Sequence, residues 1–138
     1  MELNYQEIAE RVVAYAKQNN MILDYTEQSI EKVDEILGIY HENLENYDGE
    51  DGADTLWNIA VHFGIYLGET LLRIHLEEKG FTWYLKEGTP ALKKDNNEIY
   101  PIFKAHKRIL NGPEDDVRSF CKIAIMIADG AFPTNKTS

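Results

Sequence analysis

The sequence predicts a mainly helical α+β fold, with about five helices and a small two- or three-stranded antiparallel sheet packed on a central helix. Three observations carry this. Apolar residues recur at helical spacing through residues 4–19, 26–46 and 54–79. The period changes at Phe81, where Phe81-Thr82-Trp83-Tyr84-Leu85 is short, aromatic and β-branched. Helical spacing returns after Pro101, a residue suited to a first helical turn.

Taken in order, Tyr5, Ile8, Val12 and Ala16 form the apolar stripe of the first helix, and Asn19-Asn20 punctuates its end. In the second, Ile30, Val33, Leu37, Tyr40 and Leu44 share a face. Thr26 offers a hydroxyl to the free first-turn amides, and Asp24 with Glu27 is the rival capping box. Residues 46–54 read as a Gly-rich acidic loop that launches the central helix from an Asp54 N-cap. That helix is apolar on most sides and should stop near Gly80. Its Gly64 and Gly68 give up helix propensity, which predicts close approach of another backbone.

The strand at 81–85 is followed by a Glu87-Gly88-Thr89-Pro90 turn, a return at Ala91-Leu92-Lys93, a second turn at Asp95-Asn96-Asn97, and Glu98-Ile99-Tyr100. A short helix from Pro101 should point Ile102, Phe103, Ile109 and Leu110 inward and end at Asn111-Gly112. Residues 114–129 look too apolar for a surface helix and are expected to pack on the central one. The length fits one globular domain over 1–138, with a flexible tail at 131–138.

Several classes are disfavoured. No apolar run approaches the roughly 18 residues that span a bilayer, and the N-terminus lacks a basic-then-apolar leader. The one cysteine, Cys121, allows no internal disulfide, which fits a cytoplasmic setting. Net charge is −10 and uneven: residues 1–56 hold 14 acids and 3 bases. Nucleic-acid binding needs a clustered basic surface, so no nucleic-acid partner and no membrane partner is expected. The acidic half is either a solubility feature or a face for a basic protein. Lys93, Lys94, Lys104, Lys107 and Arg108 form the one basic cluster, read as a solvated face.

Tyr66-Leu67-Gly68-Glu69, Trp83, Pro101 and Lys107-Arg108-Ile109-Leu110-Asn111-Gly112 stand in an order that resembles an uncharacterised bacterial domain family. That pattern is a central helix with a Tyr-Leu-Gly-Glu core, a Trp-bearing strand, a proline and a basic helix ending in Asn-Gly. Leu23-Asp24-Tyr25-Thr26, Ser29 and Asp34 fit it as well. The resemblance brings no established activity; small acidic bacterial domains of this kind look like immunity or toxin-associated proteins.

The candidate binding residues are His62, Tyr66, Glu69 and Arg73, one stripe of the central helix. They form a solvent face, a pocket floor in which Arg73 holds an anionic group, or a buried network with Glu69 paired. No catalytic residues, no metal site and no cofactor are assigned. The histidines lack ligand spacing, and Asp48–Asp54 lacks the calcium-loop register. Cys121 reads as a small hydrophobe rather than the nucleophile of a pair with His106. The functional expectation is a non-enzymatic protein-interaction module, of which an acidic immunity-type inhibitor is one form. The alternative is a small-molecule-binding domain or small enzyme using the central-helix stripe. Oligomeric state is not readable from the sequence.

Overall fold

A computed structural model describes residues 4–130, and the expected tail at 131–138 lies outside them. Among these residues are five α-helices and one three-stranded antiparallel sheet. The helices are α1 (Tyr5–Gln18), α2 (Glu27–Glu42), α3 (Gly49–Leu71), α4 (Pro101–Asn111) and α5 (Val117–Ala128). The strands are β1 (Thr82–Lys86), β2 (Thr89–Lys94) and β3 (Asn97–Ile99), in the order β1-β2-β3.

Helix starts follow from side-chain caps. The Asn4 side chain accepts from the Glu7 amide at 3.0 Å. At α2 the box closes between Thr26 and Ser29, not through Glu27: each side chain takes the other's backbone amide, at 3.3 and 3.1 Å. Serine is short enough to be buried there, and its hydroxyl goes on to join the core. The second helix ends earlier than its apolar spacing implies, at Glu42, and a 3-10 turn covers Leu44–Tyr47.

The acidic segment at 48–54 is not a loop. Asp48 is the N-cap, Gly49 begins α3, and Glu50 and Asp51 lie in its first turn. Carboxylates there meet the positive end of the helix dipole, which offsets the poor propensity of Gly49 and Gly52. At the other end the α-helical pattern gives way to a π turn over Leu72–Leu76, where the Glu77 amide donates to the Leu72 carbonyl at 3.0 Å. Gly80 then adopts a φ of 95° and reverses the chain into the sheet.

The first hairpin turns on two residues, Glu87 and Gly88, at φ 51° and 88°. Thr89 and Pro90 therefore belong to β2 rather than to the turn. The register places Leu92 opposite both Trp83 and Ile99, and the buried Leu92 and Ile99 turn toward the helices. The sheet leans through β2 on α4 and α3.

The core is built around α3, whose residues from Phe63 to Leu71 are all buried. Gly64 meets the backbone of α4: a Cβ there would stand 2.5 Å from the Ile102 Cα. Gly68 meets a side chain instead, since its Cβ would fall 2.3 Å from the Trp83 ring. The two glycines thus make room for different things. In α4, Ile102 and Ile109 point inward, but Phe103 and Leu110 are exposed and Arg108 takes a core position. Helix α5 also differs from expectation. It packs against α2, α4 and the π turn, buries only Val117, Cys121 and Ala124, and leaves Ile123 and Met126 exposed.

Candidate functional site

Tyr66, Glu69 and Arg73 converge, and His62 stands apart. Tyr66 is fully buried. Its hydroxyl donates to Ser29 Oγ at 2.8 Å and accepts from the Tyr25 amide at 2.9 Å. This ties the middle of α3 to the start of α2. It also holds Tyr25 at φ 60°, a left-handed conformation that a tyrosine rarely adopts.

Glu69 is 6% exposed, so its charge needs partners. The Trp83 indole N–H donates to one oxygen at 2.8 Å, and Arg73 Nη2 stands 3.6 Å from the other. Arg73 lays its guanidinium over the Tyr25 ring, 3.5 Å from the centroid. The Tyr25 hydroxyl donates to Glu10 on α1, and burial with that bond pushes its pKa up to about 12. Trp83 in turn stacks on Tyr5, with ring centroids 4.5 Å apart. The stripe is therefore the middle of a ladder through Tyr5, Trp83, Glu69, Arg73, Tyr25 and Glu10. It joins α1, the α2 entry, α3, the π turn and β1.

His62 uses its Nδ1 locally, donating to the Asn58 carbonyl at 2.8 Å. It lines a cavity of about 250 Å³ with Tyr15, Tyr40, Asn58, Ile59 and Phe63. A second cavity of about 520 Å³ adjoins it through Tyr15 and Tyr40 and is lined further by Met21, Ile36, Ile39 and Tyr47. These tyrosines meet where the two cavities join, with hydroxyls 3.4 Å apart, and burial lifts the Tyr40 pKa well above the ordinary phenol value. Glu42, Glu45 and Asp48 alternate in sequence with Asn43, Asn46 and Tyr47 of the larger cavity's wall, and Glu50, Asp51 and Asp54 follow in the first two turns of α3.

The supposed basic cluster does not form one face. Arg108 is buried and donates through Nε to Asp34 Oδ1 at 2.9 Å; the same oxygen accepts the Val117 amide at 3.1 Å. Lys104 is bridged to Asp115 at 2.9 Å. Asp34 thus fastens α2 to α4 and to the first turn of α5. Nothing local signals that link, because 74 residues separate the pair.

Cys121 is buried, and desolvation raises its thiol to about 12, which keeps it protonated at neutral pH. His106 packs edge-on against Trp57 at 5.0 Å, and burial lowers its pKa. Among the described residues no three His, Cys, Asp or Glu side chains are grouped to hold a metal ion. No helix of these residues is long and apolar enough to cross a membrane.

The missed members of the ladder are Tyr5, Glu10, Tyr25 and Trp83. A single-helix pattern names α3's stripe but not the residues that other elements bring to it. Against known proteins, the chain matches no family model, no curated protein and no solved structure.

Proposed function

We propose that the chain is a protein-interaction module whose acidic edge receives a basic partner, with an immunity-type inhibitor as one form of that role. One observation carries this. Between Glu42 and Asp54 there are six acids and no base. All six are exposed, and none is bridged to a cation among the described residues. Unbridged exposed acids occur elsewhere too, Glu27, Glu87 and Glu114 among them, but no other base-free stretch of the sequence gathers six acids so closely. A solubility surface needs charge but not this segregation. Like charges held together repel one another, and a cationic partner relieves that repulsion while steering its own approach.

The small-molecule reading would use the stripe of α3. Its Glu69 and Arg73 are already engaged with each other, with Trp83 and with Tyr25. That arrangement favours a structural role over a ligand-binding one.

The test is capture from the source organism at low and at moderate salt, with the wild-type chain and with Asp48, Glu50, Asp51 and Asp54 each changed to Lys. The expected result is a basic protein that is retained at low salt, released as salt rises, and lost with the reversed chain. Retention that ignores both salt and reversal would overturn the proposal.

A further inference from the structure

We infer that the groove between α1 and α2, floored by the Tyr15–Tyr40 pair, docks a basic amphipathic helix of the partner. The inference rests on the acidic-edge proposal and adds the shape and chemistry of what binds. The two adjoining cavities run from Met21 and Ile39, past Tyr15 and Tyr40, to Ile59 and His62. Exposed apolar side chains stand in the larger one, Ile39 at 57% and Tyr15 at 46%, beside Asn19, Asn43 and Asn46, and the smaller one is mostly apolar. A row of apolar anchors spaced along a helix fits such a channel, as peptides do in helix-receiving grooves. Two tyrosines at the centre suit a contact hot spot, since each offers a large apolar ring and a hydroxyl.

Charge selects the kind of helix. On α2, Glu35, Ile39 and Glu42 fall at i, i+4 and i+7, so two exposed acids bracket the exposed isoleucine on its own stripe; Lys32, a turn before Glu35, is engaged with the Ile22 carbonyl at 3.0 Å. At one end the wall is Asn43, Asn46 and Tyr47, and the chain continues from there into the exposed Asp48, Glu50 and Asp51, which flank the cavities without lining them. Among the described residues no Lys or Arg lines the larger cavity. The base that lines the smaller one, Arg11, is bridged to Glu7 at 3.1 Å. An apolar floor with an acidic rim is complementary to a helix with an apolar face edged by Lys or Arg. It is poorly complementary to a second copy of this surface, because acidic rim would meet acidic rim.

The probe is a fluorescein-labelled helical peptide with Leu at i, i+3, i+4 and i+7 and Lys at the flanking positions, read by anisotropy. An isomer with the same residues scrambled and a version with Glu for Lys serve as controls. Saturable binding of the Lys peptide alone is expected, with weakening as salt rises. In the chain, Ile39→Ser is exposed enough to leave the fold intact and should weaken binding about tenfold, as loss of a contact anchor does. Glu35→Lys with Glu42→Lys should weaken it further and flatten its salt dependence. Amide shifts on titration should centre on Tyr15, Ile39 and Tyr40.

Three results would overturn the groove: no saturable binding, binding equal for the scrambled isomer, or affinity untouched by Ile39→Ser. A concentration-dependent dimer in sedimentation that Ile39→Ser abolishes would also overturn it, by making a second copy the occupant. If the groove variants have no effect while reversal of Asp48, Glu50, Asp51 and Asp54 still releases the captured host protein, the acidic edge stands and the groove falls. If neither set of changes matters, both fall.

Discussion

Two carboxylate–arginine pairs lie inside this protein, and they are built on opposite principles. Glu69 and Arg73 are one helical turn apart, 3.6 Å from each other, with the arginine side chain 38% exposed. Asp34 and Arg108 come from distant parts of the chain and meet at 2.9 Å, with side chains 14% and 8% exposed. In the local pair, Glu69 is held by an indole as well, and the guanidinium rests on a tyrosine at the surface. In the distant pair each partner depends on the other to offset its desolvation. The first reaches other elements only through aromatic rings, Trp83 and Tyr25; the second joins three helices directly by charge and hydrogen bond.

The largest effect should come from breaking the distant pair. Asp34→Ala leaves the Arg108 charge buried without its partner and frees the Val117 amide, and should cost about 3–5 kcal/mol in urea unfolding. A loss under about 1 kcal/mol would make the pair an ornament and erase the contrast. Gly38→Ala comes next. The added Cβ would stand 2.7 Å from Arg108 Nη2, so the guanidinium must shift inside a packed site, at about 1–3 kcal/mol. A neutral Gly38→Ala would show that displacing Arg108 costs no more than the roughly 1 kcal/mol of helix propensity that alanine adds.

The local pair separates into two components. Glu69→Leu removes the acceptor of the Trp83 N–H and should cost about 1–3 kcal/mol. Glu69→Gln keeps an acceptor and loses only the contact with a part-exposed arginine, so about 0–1 kcal/mol is expected. Equal losses for Leu and Gln would put the weight on Arg73 instead of Trp83.

The smallest effect belongs to an exposed pair, His75 with Asp129 at 2.5 Å, which joins the π turn to the end of α5. Asp129 raises the His75 pKa above its ordinary 6.5, chiefly by accepting its hydrogen bond, and His75 lowers Asp129 below 3.8 by the same bond. The histidine's contribution is complete below pH 6.5 and fades as pH rises through its folded value. The aspartate's is complete above pH 3.8 and fades as pH falls through its own. The pair therefore works fully only between those limits. In Asp129→Asn the imidazole titration followed by NMR should move down toward 6.5; an unmoved midpoint would show that the bond does not form in solution.

What the sequence made legible follows the same division. Periodicity is a local property, so it found α1, α3, the meander and the stripe of Tyr66, Glu69 and Arg73. Glycines flagged close packing, but spacing alone could not distinguish the Ile102 backbone from the Trp83 ring. The acidic run at 48–54 looked like a loop because Gly and Asp are poor helix formers, yet first-turn carboxylates gain from the dipole. Arg108 was read as a surface base because a nearby lysine run suggested one; its partner lay too far off in sequence to be seen. Helix α5 looked buried because its composition is apolar all round, although only three of its residues are buried by the rest of the described chain.

The π turn at Leu72–Leu76 has a consequence for descent and for alignment. A π turn holds one more residue than the α turn it replaces. Here that extra residue lets Arg73 rest on Tyr25 and His75 reach Asp129 while Leu76 stays fully buried. Removing one residue here would restore the α ladder and turn the residues on one side by about 100° relative to those on the other, so the three contacts could not all keep their present faces. A homologue that keeps a regular α-helix at this point should be one residue shorter than this chain. The single-residue gap between them should fall inside this helix, not in the flanking loops where gaps normally collect.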